Sequence, residues 1–184
     1  MIPLLISNEI KLEKAHCTPG WMSEGELLLL ATIARKCKSI IEIGSYYGKS
    51  TRALTDNSPS DCKVYVVDPW DYYLASTMRV DDNTFNQFYI NLYEHIKSGK
   101  LLINRMKWEN CQPKEKVDFI FIDGDHTYES CRHDINKALL WIKEDGIIAG
   151  HDYNVAGFPG VKQAVDETFP KVDFLETIWY KVMR

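Results

Sequence analysis

Ionisable side chains concentrate in two short stretches that each follow an apolar run. The stretch FIFIDGDHTYES contains Asp123, Asp125 and His126, and the stretch IIAGHDYN contains His151 and Asp152. If both apolar runs are strands of an open α/β sheet, the two stretches lie at its carboxyl edge, where ligands bind. So many ionisable groups in one place shift each other's pKa values unless a cation relieves the repulsion. The spacing therefore predicts a ligand or metal site.

Two kinds of chemistry suit this cluster. Carboxylate oxygens from Asp123 and Asp152 suit magnesium, manganese or calcium, whereas His151 would favour a transition metal. Without a metal, His126 and His151 are candidate general bases and Asp152 is the alternative. The other interpretation is that such residues only cap helices and make loop hydrogen bonds, which we favour for Asp125.

The stretch IIEIGSYYGKST ends like a phosphate-binding P-loop, with GKS at positions 48–50. A P-loop has four residues between its first glycine and the Gly-Lys pair, whereas three separate Gly44 from Gly48. Glu42 would also face the phosphate, and a G-x-G-x-x-G dinucleotide pattern fails because position 46 is tyrosine. The remaining pattern, E-x-G-x-x-x-G, suits a ligand that carries positive charge, such as an amino group and a sulfonium.

Asp68 ends the next apolar run, KVYVVD. An acid at the end of a second strand can accept hydrogen bonds from both hydroxyls of a ribose. Each such charge-assisted bond contributes about 1.5–3 kcal/mol. The alternative is that the acid caps a helix or faces water. In either case we expect Asp68 to lie outside the core.

Apolar runs alternate with amphipathic patterns along the chain. Ser23 followed by Glu26 is a capping box, which predicts a helix through EGELLLLATIARKC. The alternation predicts a doubly wound, mostly parallel sheet with helices on both faces, in a single domain of residues 1–184 whose first 20 residues are an N-terminal extension. Predicted strands are SIIEIG, KVYVVD, LLIN, VDFIFID, GIIAG and a final hairpin of VDFL and IWYKVM. Predicted helices are KSTRALTDN, a segment with Phe85, Phe88, Leu92 and Ile96 that ends at Gly99, a segment from Tyr128 to Ile142, and one with Val161 and Phe169. Pro69 to Asn83 is an excursion without an assigned element.

Composition narrows the function classes. A net charge of -4 argues against nucleic acid or an anionic membrane as the main partner, because both require a basic footprint. The five cysteines show no C-x-x-C spacing, so reduced thiols in a cytoplasmic protein are expected. We find no signal peptide and no apolar run of membrane-spanning length. The sequence leaves homo-oligomerisation open.

Several of these motifs occur in the order found in one known family. The stretches EIGSYYGKST, VVDPWD, DFIFIDGDHTYES, DGIIAGHDY and PGVKQAVDE resemble class I S-adenosylmethionine-dependent methyltransferases, in particular the group called methyltransferase family 24. That group is related to sugar O-methyltransferases of antibiotic pathways and, more distantly, to catechol O-methyltransferases. The resemblance extends from about Gly20 to Lys181.

The resemblance implies a Rossmann-like, seven-stranded sheet whose last strand, IWYKVM, runs antiparallel. It implies that the loop after the first strand surrounds the methionine part of S-adenosylmethionine, that Asp68 holds the ribose, and that Asp123 adjoins the cofactor. The loop residues concerned are Glu42, Gly44, Ser45, Tyr46, Gly48 and Ser50; Trp70, Met106 and Lys107 would lie near the adenine. In metal-using relatives, the ligand positions match Asp123, His151 and Asp152, and His151 departs from the usual carboxylate or amide.

We therefore predict a cytoplasmic, S-adenosylmethionine-dependent methyltransferase that acts on a small molecule or sugar, at oxygen. Magnesium or another divalent metal is a candidate second cofactor. Two alternatives remain: a cofactor-binding module without catalysis, and a P-loop-like nucleotide-binding kinase.

Overall fold

The structure is a computed structural model that describes residues 10–74 and 77–184. The first nine residues of the predicted N-terminal extension lie outside the described residues. The helices are α1 (Glu13–Cys17), α2 (Glu24–Ala34), α3 (Lys49–Asn57), α4 (Asp82–Lys97), α5 (Tyr128–Trp141) and α6 (Pro159–Thr168), with a 3-10 turn at Trp108–Asn110. The strands are β1 (Ser39–Ile43), β2 (Lys63–Val67), β3 (Tyr72–Leu74), β4 (Met78–Val80), β5 (Leu101–Asn104), β6 (Val117–Ile122), β7 (Ile142–Gly150), β8 (Asp173–Leu175) and β9 (Ile178–Val182).

Seven strands form one sheet in the order β5-β2-β1-β6-β7-β9-β8. The pairs from β5 to β7 are parallel, and β9 runs antiparallel to both β7 and β8. The predicted mostly parallel sheet with an antiparallel last strand is confirmed. The chain order reverses between β1 and β6, so their carboxyl ends open a crevice at the switch point, where ligands of such sheets bind.

The two faces of the sheet bury separate apolar clusters. Successive strand residues point to opposite faces, so Ile40 packs with α2 and α3 while Ile41 packs with α5 and α6. Burying a side chain such as Ile40 or Ile41 completely contributes about 1.5–3 kcal/mol, and both are buried. The predicted helices on both faces are thus confirmed. The strands that carry the candidate site at their carboxyl ends are packed on both faces by helices.

The capping box at the start of α2 is present as predicted. Ser23 Oγ accepts a hydrogen bond from the Glu26 backbone N–H at 3.1 Å, and the Ser23 backbone N–H donates to Glu26 Oε2 at 2.9 Å. Such a cap contributes about 1 kcal/mol. It also fixes the Glu26 side chain at the helix end nearest the carboxyl edge of the sheet.

Two local predictions differ from the structure. The excursion from Pro69 to Asn83 contains the hairpin of β3 and β4, whose strands are too short for a clear alternating pattern. Ile142 belongs to β7, where it pairs with Val117, although its spacing had placed it on the helix. An apolar residue directly after a helix satisfies both patterns, so periodicity alone misassigns it.

Two glycines shape the loop between β1 and α3. Gly44 has φ of 79°, and a Cβ atom there would lie 2.0 Å from the Asp123 carbonyl oxygen. Gly48 has φ of 91° as the N-cap of α3, and a Cβ atom would lie 2.5 Å from Leu92 Cδ2. Both positions therefore require glycine.

Among the described residues, no helix is long and apolar enough to cross a membrane.

Candidate active site

Glu42 lies at the base of the crevice, at 0% exposure. Ser45 Oγ donates a hydrogen bond to Glu42 Oε2 at 2.9 Å, and Thr51 Oγ1 donates to the same oxygen. The nearby Ser50 hydroxyl also favours the ionised form of the carboxyl group. Burial outweighs these donors and raises the pKa of Glu42 to about 7. Oε1 has no hydrogen-bond partner within the described part of the chain, so this oxygen can accept one from a ligand.

Asp68 is fully buried, so the expectation that it lies outside the core is wrong. Its Oδ2 accepts the backbone N–H groups of Ser45 at 2.8 Å and Tyr46 at 3.1 Å. Its Oδ1 accepts the backbone N–H of Trp70 at 2.7 Å, and the Tyr72 hydroxyl donates to Oδ2 at 3.4 Å. Burial raises the pKa of Asp68 and these donors oppose the rise. The side chain therefore ties the glycine loop to the end of β2, whatever else it binds.

Aromatic side chains support the same loop. Trp70 is fully buried against Phe85 and Phe88, with ring centroids 5.1 and 4.8 Å away. Its indole N–H donates to the Tyr46 carbonyl at 2.8 Å. Tyr46 has a left-handed φ of 48° and stacks on Trp21, with ring centroids 5.3 Å apart. In this arrangement Trp70 supports the loop from within the core, and its contact with adenine stays a prediction.

The segment after β5 presents side chains of two kinds. Met106 is exposed, and the Lys107 side chain is 70% exposed with its ammonium 3.9 Å from Glu109. Trp108 is buried and receives the Lys137 ammonium over its ring at 4.7 Å. Met106 and Lys107 are accessible to a ligand, and their place beside adenine stays a prediction.

The acidic and histidine residues that follow β6 and β7 converge, because these strands are parallel neighbours. His126 Nε2 lies 2.6 Å from Asp152 Oδ2 and 3.8 Å from Asp123 Oδ1. His151 Nδ1 lies 3.3 Å from Asp152 Oδ2 and 3.6 Å from Asp123 Oδ1. Asp152 has a left-handed φ of 61°, which turns its side chain toward the cluster. Asp125 instead accepts the Thr127 backbone N–H at 2.7 Å, as the capping interpretation predicts.

Charge pairing perturbs every group in this cluster. Burial alone would lower the pKa of His126, but Asp123 and Asp152 raise it to about 9. Burial opposes a charged His151 too, yet the same acids and Glu26 raise its pKa to about 12. In return, the two imidazoles keep the pKa of Asp123 and of Asp152 below the usual range despite burial. The stable state is therefore two carboxylates facing two imidazolium rings.

Glu26 adjoins the acid–histidine cluster, a position that the sequence analysis did not predict. Its Oε1 lies 3.3 Å from His151 Nε2 and accepts both the backbone N–H of Thr177 at 3.2 Å and its hydroxyl at 2.5 Å. The approach to Nε2 is off the N–H axis, so the contact is an ion pair rather than an aligned hydrogen bond. Against the opposing effect of burial, the ion pair with His151 and the hydrogen bonds from Thr177 and Ser23 lower the pKa of Glu26 to about 2. The capping box located Glu26, but only the fold brings it to His151.

Three atoms of the cluster could bind a divalent cation. The ligand atoms of Asp123, His126 and Asp152 all lie within 4.8 Å of one another. Two carboxylates and an imidazole suit a divalent metal that accepts both nitrogen and oxygen. His151, the predicted third ligand, also faces Glu26, so His126 is the better placed imidazole. Since both rings are imidazolium partners of the acids, a metal would have to displace a proton.

The family comparison is decisive at this point. A model of the methyltransferase domain family, the family 24 group, matches residues 41–153, which include the glycine loop and both strand-end stretches. The chain belongs to this methyltransferase family. The predicted class I assignment is confirmed, and with it an enzyme that uses S-adenosylmethionine. Glu26 lies outside the matched residues.

Solved structures share the fold of this methyltransferase at low sequence identity. A Klebsiella pneumoniae protein provisionally named an O-methyltransferase is 19% identical, with a TM-score of 0.70 over 94% of this chain and 88% of that one. An O-methyltransferase from Bacillus cereus, in complex with S-adenosylhomocysteine, is 18% identical, with a TM-score of 0.65 over 97% and 93%. TomG from Streptomyces achromogenes, an O-methyltransferase of tomaymycin synthesis in complex with S-adenosylmethionine, is 14% identical, with a TM-score of 0.66 over 89% and 82%.

Proposed function

We propose that this methyltransferase acts on a hydroxyl group of a small molecule or sugar, as a single cytoplasmic domain of residues 1–184 with an N-terminal extension at 1–20. The observation that carries the choice of oxygen is the contact between His126 Nε2 and Asp152 Oδ2, at 2.6 Å. A hydroxyl must lose its proton to attack a methyl group, whereas an amine attacks with a free lone pair. An imidazole backed by carboxylates at the carboxyl edge of the sheet meets that requirement. The structural neighbours from Streptomyces achromogenes and Bacillus cereus, in complex with S-adenosylmethionine and S-adenosylhomocysteine respectively, are O-methyltransferases.

S-adenosylmethionine supplies an activated methyl group, and methyl transfer is an in-line displacement that depends mainly on positioning. Glu42, Ser45 and Ser50 bind the methionine part, with Gly44 and Gly48 giving the backbone its close approach. The unpartnered Glu42 Oε1 is the acceptor for the amino group. Asp68 binds the ribose. These assignments place the cofactor along the crevice between β1 and β6.

In this proposal the neutral form of His126 takes the hydroxyl proton, so turnover should rise as the pH approaches its raised pKa of about 9. Asp123 and Asp152 stabilise the imidazolium that forms. Nδ1 of His151 forms ion pairs with both acids, and its Nε2 faces Glu26. If the enzyme uses a divalent metal, Asp123, Asp152 and His126 would bind it. A metal supplies Lewis-acid polarisation of a hydroxyl, which reduces the need for a histidine base.

The experiment is a methyl-transfer screen in two steps. Thermal shift with S-adenosylhomocysteine, ATP and buffer first tests the cofactor; we expect stabilisation by S-adenosylhomocysteine alone, and stabilisation by ATP alone would favour the kinase alternative. A panel of sugars, phenols and amines is then incubated with S-adenosylmethionine, with release of S-adenosylhomocysteine as the readout. Methylation of amines only would contradict the proposed oxygen chemistry.

The best acceptor is then assayed with and without EDTA, in wild type and in the Asp152→Ala variant. Loss with EDTA and recovery with magnesium or manganese identifies a metal enzyme. Insensitivity to EDTA together with loss in His126→Ala identifies the imidazole base. Full activity in all four arms, and in His126→Ala, would remove the cluster from the mechanism.

A further inference from the structure

Oδ2 of Asp68 has no free acceptor position among the described residues, and the whole side chain is at 0% exposure. A carboxylate has two oxygens with about two lone-pair positions each. Three donors already reach Oδ2, namely the backbone N–H groups of Ser45 and Tyr46 and the Tyr72 hydroxyl, whereas Oδ1 accepts only the Trp70 backbone N–H. A ribose hydroxyl can therefore bind Oδ2 only if one of these donors leaves.

Three of the four donors are fixed by the surrounding fold. Ser45 is buried and its side chain is bound to Glu42, so its backbone N–H cannot turn away without breaking that contact. Tyr46 has a left-handed φ of 48° and its carbonyl accepts the Trp70 indole N–H. Trp70 itself is at 0% exposure in the core. Releasing any of these groups would disturb the glycine loop.

Tyr72 is the exchangeable donor. Its hydroxyl makes the longest of the four contacts, at 3.4 Å, and it is the only donor of the four on a side chain. Tyr72 lies on β3, which pairs only with β4 in a two-stranded ribbon outside the seven-stranded sheet. A rotation of this side chain breaks one weak hydrogen bond and leaves the three backbone bonds intact.

We propose that the Tyr72 hydroxyl occupies the acceptor position on Asp68 that a single ribose hydroxyl of the cofactor takes, so that the two donors exchange on binding. The proposal rests on the proposed cofactor role of Asp68. It makes Tyr72 a residue that sets cofactor affinity by competition. The exchange concerns Oδ2 alone, because Oδ1 accepts only the Trp70 N–H and keeps a position for the second ribose hydroxyl.

The test is calorimetric titration of S-adenosylhomocysteine into wild type, Tyr72→Phe and Tyr73→Phe. Phenylalanine keeps the ring and removes the competing hydroxyl. We expect Tyr72→Phe to bind about two- to tenfold more tightly, the contribution of one hydrogen bond weakened by its 3.4 Å length. Tyr73 is adjacent, 61% exposed and packed under the Arg79 guanidinium, so loss of its hydroxyl should leave the affinity unchanged. Unchanged or weaker binding by Tyr72→Phe overturns the exchange.

Analogues of S-adenosylhomocysteine without the 2′ or the 3′ hydroxyl locate the effect. The gain in Tyr72→Phe should vanish with the one analogue that lacks the hydroxyl bound by Asp68 Oδ2. Persistence of the full gain with both analogues would mean that Tyr72 acts elsewhere, and would overturn the proposal. Failure of wild type to bind S-adenosylhomocysteine would instead overturn the proposed function on which this inference depends.

Discussion

Glu42 should make the stability of this methyltransferase fall as the pH rises. Its carboxyl group is fully buried, and burial raises its pKa from 4.5 to about 7. A group that binds its proton more tightly in the folded state stabilises the fold when protonated, and that stabilisation is lost between the unfolded and folded pKa values. The shift corresponds to about 3 kcal/mol over the full window, at 1.36 kcal/mol per pKa unit. Because pH 5 already lies above the unfolded value, about 2.5 kcal/mol of this falls between pH 5 and pH 8.

The perturbation that isolates this contribution is Glu42→Gln, which keeps the shape and one acceptor but cannot ionise. The assay is urea unfolding of wild type and variant at pH 5 and pH 8, with linear extrapolation to water. The difference in unfolding free energy between wild type and variant should change by about 2.5 kcal/mol between the two pH values, with wild type relatively weaker at pH 8. Parallel pH profiles for the two proteins would refute the argument, because they would show that Glu42 has the same pKa folded and unfolded.

Two further predictions concern the acid–histidine cluster. Glu26→Ala should cost about 1–3 kcal/mol of unfolding free energy, because the buried His151 loses one of its three charge partners and keeps Asp123 and Asp152. Glu24→Gln, an exposed change in the same helical turn, should stay within about 0.5 kcal/mol, and equal costs for the two changes would contradict a role for the Glu26 ion pair. The Phe158 ring stacks on His126 at a centroid distance of 4.4 Å and so positions the imidazole. Phe158→Ala should lower turnover by about two- to tenfold and leave the calorimetric affinity for S-adenosylhomocysteine unchanged. A fall in affinity with unchanged turnover would contradict this positioning role.

The fold could be predicted because its signals are local. Ser23 and Glu26 form their capping box within four residues, and Gly44 and Gly48 have positive φ values, as a tight strand-to-helix loop requires. The parallel arrangement followed from apolar runs separated by helical patterns, and the family resemblance supplied the antiparallel last strand. What failed was local as well: Ile142 satisfied two periodicities, and the short strands β3 and β4 lack the length that makes alternation recognisable.

The site could be predicted only in outline, because its partners come from distant segments. Asp123 and Asp152 follow neighbouring strands, so their proximity was expected and is confirmed by the ligand atoms lying within 4.8 Å. The spacing of residues in the sequence predicts neither the burial of Asp68 under backbone donors nor the contact of Glu26 with His151. The first depends on how the glycine loop folds back, and the second on where the start of α2 lies relative to the sheet. The order of polar and apolar residues determines neither.

The position of the Lys49 side chain distinguishes the stretch IIEIGSYYGKST from a P-loop. In a P-loop the lysine points back over the loop at the phosphates. Here the Lys49 ammonium donates to the Thr18 carbonyl at 3.2 Å, and its side chain packs on Gly20, so it is engaged with the segment before α2. The ionisable groups along the crevice are instead Glu42, Asp68 and the cluster of Asp123 with Asp152. The two imidazolium rings balance the cluster, whereas Glu42 and Asp68 accept hydrogen bonds from neutral hydroxyl and backbone N–H groups. That balance disfavours a triphosphate and favours a ligand that carries an ammonium and a sulfonium group.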